Sequence, residues 1–226
     1  MSSDATSSPT GHDAPVVGID LGGTKIRSVV TLADGSIVGE DIRPTDAEGG
    51  PDVVVDRLAA SARAAIAASG IPHAAILAVG VTAPGTVDFD EGVLHQPPNL
   101  PGIDSIPLAR LMHERLDLPA FLENDANAAA YGEWRHGAGV GFKHLIYLTV
   151  STGIGAGLIL NGQLYRGADG AAGELGHTTV DDDGPPHNCG MIGCVEVLAS
   201  GTAIARMARE TVSAGRSERL AQLAAQ

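Results

Sequence analysis

A strand, a glycine-rich turn and a second strand occur twice in this chain, each time opening a set of three strands, and this repeat of element order constrains the fold most. The first set runs through "PVVGIDLGG", "IRSVVTL" and "SIVGEDI". The turn "ADG" between the last two suits a hairpin. The second set runs through "HLIYLTV", "GAGLILN" and "QLYRG". Between them, "DVVVDRLAASARAAIAAS" carries Val54, Leu58, Ala62 and Ile66 at helical spacing and stops before Gly70. "AAILAVGVT" reads as a buried strand, followed by a Pro/Gly-rich excursion from Ala83 to Ile106. "PLARLMHERL" predicts a helix, "PAFLEN" a strand, and "DANAAAYGEWRHG" a helix capped by Asp125. Strands interleaved with helices predict a layered α/β architecture. The glycine run "GAGVGFK" marks a boundary, so the expected organisation is a disordered tail at 1–15, an N-terminal lobe at 16–136 and a C-terminal lobe at 137–226.

With 226 residues the chain can bury a real core in one large domain or two modest ones. Its longest apolar runs, Ala74–Val81 and Leu145–Val150, are strand-sized and far short of a membrane span. The first fifteen residues are polar and lack the apolar centre of a signal peptide, so a cytoplasmic protein with no membrane partner is expected. A formal charge of −13 argues against a broad nucleic-acid or anionic-membrane surface. It leaves room for a nucleotide, because a few backbone amides and one Mg2+ neutralise a triphosphate locally. Aromatic residues, at 3%, are too sparse for a single-strand stacking platform.

In "GIDLGGTK", Asp20 ends a strand and Gly22, Gly23, Thr24 and Lys25 form a tight turn. Paired glycines let successive amides approach an anion, and a neighbouring carboxylate suits a water-bridged magnesium. The plainer reading is a hairpin turn. No P-loop or dinucleotide fingerprint is present, since neither the spacing nor a following helix fits. "STGIGAG" repeats the arrangement with Ser151, Thr152, Gly153 and Gly155. Two such turns, each opening a three-strand set, suggest two lobes that hold one phosphate chain.

The chain's two cysteines lie in "HNCGMIGCVE", Cys189 and Cys194. Two thiols exclude a secreted-type disulfide framework. They leave a metal clasp, a single disulfide or two unrelated thiols open.

Taken together, "GIDLGGTK", "STGIGAG", "LENDANAAA", "GELGHT" and "HNCGMIGCVE" resemble, in order, the motifs of the ROK family of sugar kinases, with "PPNLPG" and "VLASGTAIAR" most similar to its bacterial glucokinases. The resemblance implies a two-lobed actin-like ATPase (ribonuclease H-like) fold whose second lobe is incomplete in this chain. It implies ATP- and Mg2+-dependent phosphorylation of a hexose 6-hydroxyl, glucose first, with N-acetylmannosamine and other hexoses as alternatives. Asp125 stands where the family has its catalytic base, although local sequence alone makes it a helix cap. Asn99, Asn124, Asp125, Glu174, His177 and Glu196 stand where the family contacts sugar. Asp20, Gly22, Gly23, Thr24, Lys25, Ser151, Thr152, Gly153 and Gly155 correspond to its phosphate turns.

The family's zinc loop has three cysteines and the histidine of its E-x-G-H motif. In this chain His187 replaces the first cysteine, so the implied structural Zn2+ site is His177, His187, Cys189 and Cys194, within a zinc loop at 177–196. Its role would be to fix the ring of His177 toward a sugar hydroxyl and to deliver Glu196.

The family also contains sugar-responsive repressors, which carry a helix-turn-helix ahead of the first phosphate motif. Only seventeen residues precede Gly18, without a basic recognition helix. A non-catalytic sugar-binding protein is the other reading, because the part of the family's chain that lines the adenine pocket has no counterpart before Gln226. The family often forms homodimers through the second lobe.

Overall fold

The computed structural model describes residues 14–97, 100 and 104–225. They form two compact units that divide between Ala128 and Ala129, inside the helix expected to close the first lobe.

The first unit begins with the three expected strands, β1 (Val16–Leu21), β2 (Lys25–Thr31) and β3 (Ile37–Pro44), and continues into helix α1 (Pro51–Ser69). Strand β4 follows at Val79–Ala83. Short strands β5 (Thr86–Asp88), β6 (Val93–His95) and β7 (Ser105–Ile106) then lead to α2 (Leu108–Leu116), β8 (Ala120–Asn124) and α3 (Asp125–His136). The main sheet has the order β3-β2-β1-β4-β8, antiparallel across β3, β2 and β1 and parallel across β1, β4 and β8.

Alternation assigns one face of this sheet to the core: Val17, Ile19 and Leu21 of β1, Ile26 and Val30 of β2, and Val79 and Val81 of β4 are buried there. Helix α1 meets them with Val54, Leu58, Ala62 and Ile66, the positions its sequence spacing singles out. Complete burial of a side chain such as Leu58 contributes roughly 1.5–3 kcal/mol. Proline opens α1 and Gly70, in the left-handed region at φ 69°, ends it. The helix lies so tightly on β3 that a Cβ on Gly39 would collide with the Ala65 carbonyl and the Ser69 backbone. Helix α2 buries Leu108, Met112 and Leu116, one residue per turn.

Two expectations need correction. The strand in "AAILAVGVT" starts only at Val79, because His73–Ala75 close a 3-10 turn after Pro72 and Leu77 is exposed. The excursion before Ile106 contains regular structure, since β5, β6 and β7 form a small antiparallel sheet. Strands of two or three residues are too short to show a period in sequence.

The second unit contains β9 (Leu145–Val150), β10 (Ile154–Leu160) and β11 (Gln163–Leu164) in the order β11-β10-β9. This repeats the β3-β2-β1 arrangement of the first unit. Asn161 and Gly162, with φ of 53° and 73°, make the two-residue turn between β10 and β11. Strand β11 is shorter than "QLYRG" suggests, the chain turning at Gly167 with φ 78°. A loop braced by the bridges Thr179–Cys194 and Pro186–Ile192 leads into α4 (Val195–Ala199), α5 (Gly201–Ser213) and α6 (Glu218–Ala224). Ser200 caps α5 by accepting from the Ala203 amide.

Candidate functional site

In the first unit, register places the ends of three parallel strands side by side: Asp20 pairs with Thr82, Thr82 with Glu123, and Ala83 with Asn124. Carboxyl ends of strands are where α/β sheets present ligand-binding groups. The Thr82 hydroxyl lies 3.3 Å from Oδ1 of Asp20 and 3.4 Å from the Ile19 carbonyl, which orients that carboxylate.

The cap of α3 is Asn124, not Asp125. Still extended at the end of β8, Asn124 accepts at Oδ1 from the amides of Ala126 (2.9 Å) and Asn127 (3.1 Å), and its Nδ2 donates to the Gly85 carbonyl (3.2 Å). Asp125 is therefore the first helical residue. Its Oδ1 shares the Ala126 amide at 2.8 Å. Burial of the carboxyl raises its pKa above the ordinary carboxylate value; the Ala126 amide opposes the rise, and the charge of Asp20 adds to it. The residue as a whole is exposed, so solvent moderates the effect.

The first glycine turn is anchored from behind. Gly22 donates to the Lys25 carbonyl at 3.0 Å, and a Cβ at Gly22 would press on that oxygen. Thr45, fully buried at the end of β3, donates its hydroxyl to the Gly22 carbonyl (2.6 Å) and its amide to the Thr24 carbonyl (3.0 Å). In a planar trans peptide the carbonyl and the next N–H point in opposite directions. Pinning the Gly22 carbonyl inward thus turns the Gly23 amide outward. Sequence reading missed Thr45, whose contact spans 23 positions and leaves no local mark.

The second turn is held in the same way. Ser151 donates to the Gly153 carbonyl (2.9 Å), while the Gly201 amide and the Thr202 hydroxyl, both 2.8 Å away, bind the carbonyls of Ser151 and Thr152. The amides of Thr152 and Gly153 face the opposite way by the same geometry. Ile154 donates to Oε2 of Glu196 at 2.6 Å. Gly155 lies within β10, paired with Thr149. Gly201 and Thr202 were also missed.

His177, His187, Cys189 and Cys194 converge, with one ligand atom from each lying within 4.8 Å of the others. Nδ1 of His187 is 3.0 Å from Sγ of Cys189 and 3.2 Å from Sγ of Cys194, so the histidine reaches both sulfurs despite following two prolines. Both cysteines are free thiols. Nδ1 of His177 is buried without a hydrogen-bond partner, which a metal ion at the centre of the cluster would supply. Two nitrogens and two sulfurs suit tetrahedral zinc, whose donors stand about 3.3–3.8 Å apart. The outer ring nitrogens face carboxylates: Nε2 of His177 is 3.5 Å from Glu174, and Nε2 of His187 is 3.3 Å from Oε1 of Glu196. A carboxylate behind a ligating imidazole is the usual outer arrangement of zinc sites. Asn99 lies outside the described residues.

Among the described residues no helix is long and apolar enough to cross a membrane. A profile of the ROK family matches residues 16–226. A glucokinase of Thermotoga maritima is 40% identical over 195 residues, covering 86% of this chain and 60% of that protein. Among solved structures, the ROK hexokinase of Thermus thermophilus superposes with a TM-score of 0.78 at 43% identity, over 88% of this chain and 64% of the other. The ROK family glucokinase of Streptomyces griseus, solved in complex with glucose and AMPPNP, gives 0.77 at 38% identity over 88% and 62%. The architecture is thus that of the actin-like ATPases, and the chain spans about 60% of the length of the curated glucokinases it matches.

Proposed function

Because the chain belongs to the ROK family, we propose that it transfers the γ-phosphoryl group of ATP to the 6-hydroxyl of a hexose, with glucose the first candidate. The observation that carries this reading is Asp125: a carboxyl relieved of capping by Asn124, made more basic by burial, and set beside Asp20 at the strand ends. In the proposed reaction Asp125 takes the proton of the 6-hydroxyl while the sugar oxygen bonds to the γ-phosphorus. The bond from that phosphorus to its bridging oxygen breaks, and ADP leaves. Such transfer depends on positioning and charge, so few reacting groups are needed.

The remaining groups hold the reactants. Gly22, Gly23, Thr24 and Lys25, and separately Ser151, Thr152, Gly153 and Gly155, would serve phosphate oxygens, chiefly through outward amides. Asp20 is the residue to hold Mg2+ through water, an ion that offsets charge on the β- and γ-oxygens when bound. Asn99, Asn124, Glu174, His177 and Glu196 are the sugar contacts. Asn124 retains one Nδ2 proton after its bond to Gly85, and each Glu196 oxygen retains a lone pair for a hydroxyl.

His177, His187, Cys189 and Cys194 would hold Zn2+. Four protein donors fill its shell, which makes it structural. Its ligand thiols require the reduced state of the cytoplasm, where we place the protein.

A coupled ADP assay over a sugar panel, with MgATP, tests the proposal. Glucose-dependent ADP release supports it. Sugar binding without ADP release would instead favour a non-catalytic sugar-binding protein, the reading that the chain's 60% span of its relatives keeps in view.

A further inference from the structure

The cysteine–histidine cluster and the second glycine turn share one side chain. Glu196, in the first turn of α4, accepts the Ile154 amide at Oε2 (2.6 Å) and faces Nε2 of His187 with Oε1 (3.3 Å). The other ring nitrogen of His187 touches both sulfurs. The side chains of His187 and Glu196 are only 13% and 21% exposed, so water competes little for these contacts. Gly153 packs on the same carboxylate, where an added Cβ would lie 2.5 Å from Oε2.

We infer that Glu196 is a positioning residue that couples the metal clasp to the second turn, so that zinc in the clasp tightens the turn's grip on a polyphosphate chain. The coupling to phosphate rests on the reading of that turn given above. A ligand bond at Nδ1 of His187 leaves the ring proton on Nε2, so the imidazole becomes an obligatory donor to Oε1. Without that bond neither the tautomer nor the plane of the ring is fixed from the clasp side. Oε1 then faces no obligatory donor, and the ring can turn away from it. Glu196 loses one of its two anchors, and with it the Ile154 amide loses a fixed partner.

A carboxylate can accept at both oxygens, from His187 on one side and Ile154 on the other. Glutamine cannot, because its amide nitrogen must face one of the two donors. Glu196→Gln therefore preserves size while breaking one link.

The test uses isotope-labelled full chain, zinc-stripped and then titrated with zinc, with the Gly153 and Ile154 amide resonances followed by NMR. Binding of magnesium tripolyphosphate is measured by calorimetry in both states. The expected result is that the two amide resonances move with the same stoichiometry as those of the clasp. Tripolyphosphate should bind about fivefold or more tightly to the zinc-loaded protein. In Glu196→Gln, zinc still binds but the gain disappears. Amides that stay still while the clasp residues shift, or a gain that survives in Glu196→Gln, would overturn the inference. Should the wild type bind no tripolyphosphate in either state, the phosphate reading of the turn fails and the amide shifts alone decide the coupling. They also decide it if the variant does not fold.

Discussion

Replacing Asp125 with Asn removes a charge and leaves the local structure standing, because Asn124 caps α3 and an asparagine oxygen at 125 can still accept the Ala126 amide. In the proposed reaction the loss falls on proton transfer. A positioned general base contributes about 10²–10⁴-fold, so kcat should fall by that factor, about 2.7–5.4 kcal/mol at 1.36 kcal/mol per decade. Glucose affinity should hardly change.

Stability moves the other way. Burial and Asp20 raise the folded-state pKa of Asp125, so the folded protein holds this proton more tightly than the unfolded chain. The wild type therefore has its full stability below the unfolded carboxylate pKa, about 3.9, and loses the excess as pH rises through the elevated folded value. The variant, with no proton to lose, should be slightly more stable at pH 7, by less than about 1 kcal/mol given the exposure of the residue. That gap should close on acidification. Coupled ADP release, glucose calorimetry and thermal melts at pH 7 and in acid read all three effects. Turnover within tenfold of wild type, or a variant less stable at pH 7, would refute the reasoning.

Thr45→Val leaves the part-buried Gly22 carbonyl without its donor, which should lower stability by about 0.5–1.5 kcal/mol. It should also raise KM for MgATP without moving KM for glucose, and Thr45→Ser should restore both in steady-state assays. Purified protein should carry zinc near one ion per chain by elemental analysis. Once stripped, its melting temperature should climb with added zinc, the stability gain reaching about 2.7 kcal/mol at a hundred times Kd; Cys194→Ala should abolish that dependence. Gly39→Ala pushes a methyl into the Ala65 carbonyl and should destabilise the first unit by about 1–3 kcal/mol in denaturant titration, with the clasp untouched.

Period was enough to place β1, β2 and α1, since each buries one face at every second or every third to fourth residue, while β3, β9 and β10 were placed by apolar runs between turn residues. Where burial has no room to repeat, as in β5, β6 and β7, the elements were invisible.

The site follows the same division. The identities of Asp20, Asp125 and the two glycine turns are written locally, because anion nests and strand-end carboxylates need particular residues at adjacent positions. The partners of those residues are not. That Asn124 rather than Asp125 caps α3 depends on where the extended chain of β8 gives way to helix, which adjacent sequence does not specify. Thr45 reaches Gly22 across 23 positions, Thr202 reaches Thr152 across 50, and Glu196 reaches Ile154 across 42. Hydrogen-bond partners so distant are chosen by the packing of whole strands and helices. The chain alone therefore names the groups proposed to do chemistry, and only the tertiary structure decides which groups hold them still.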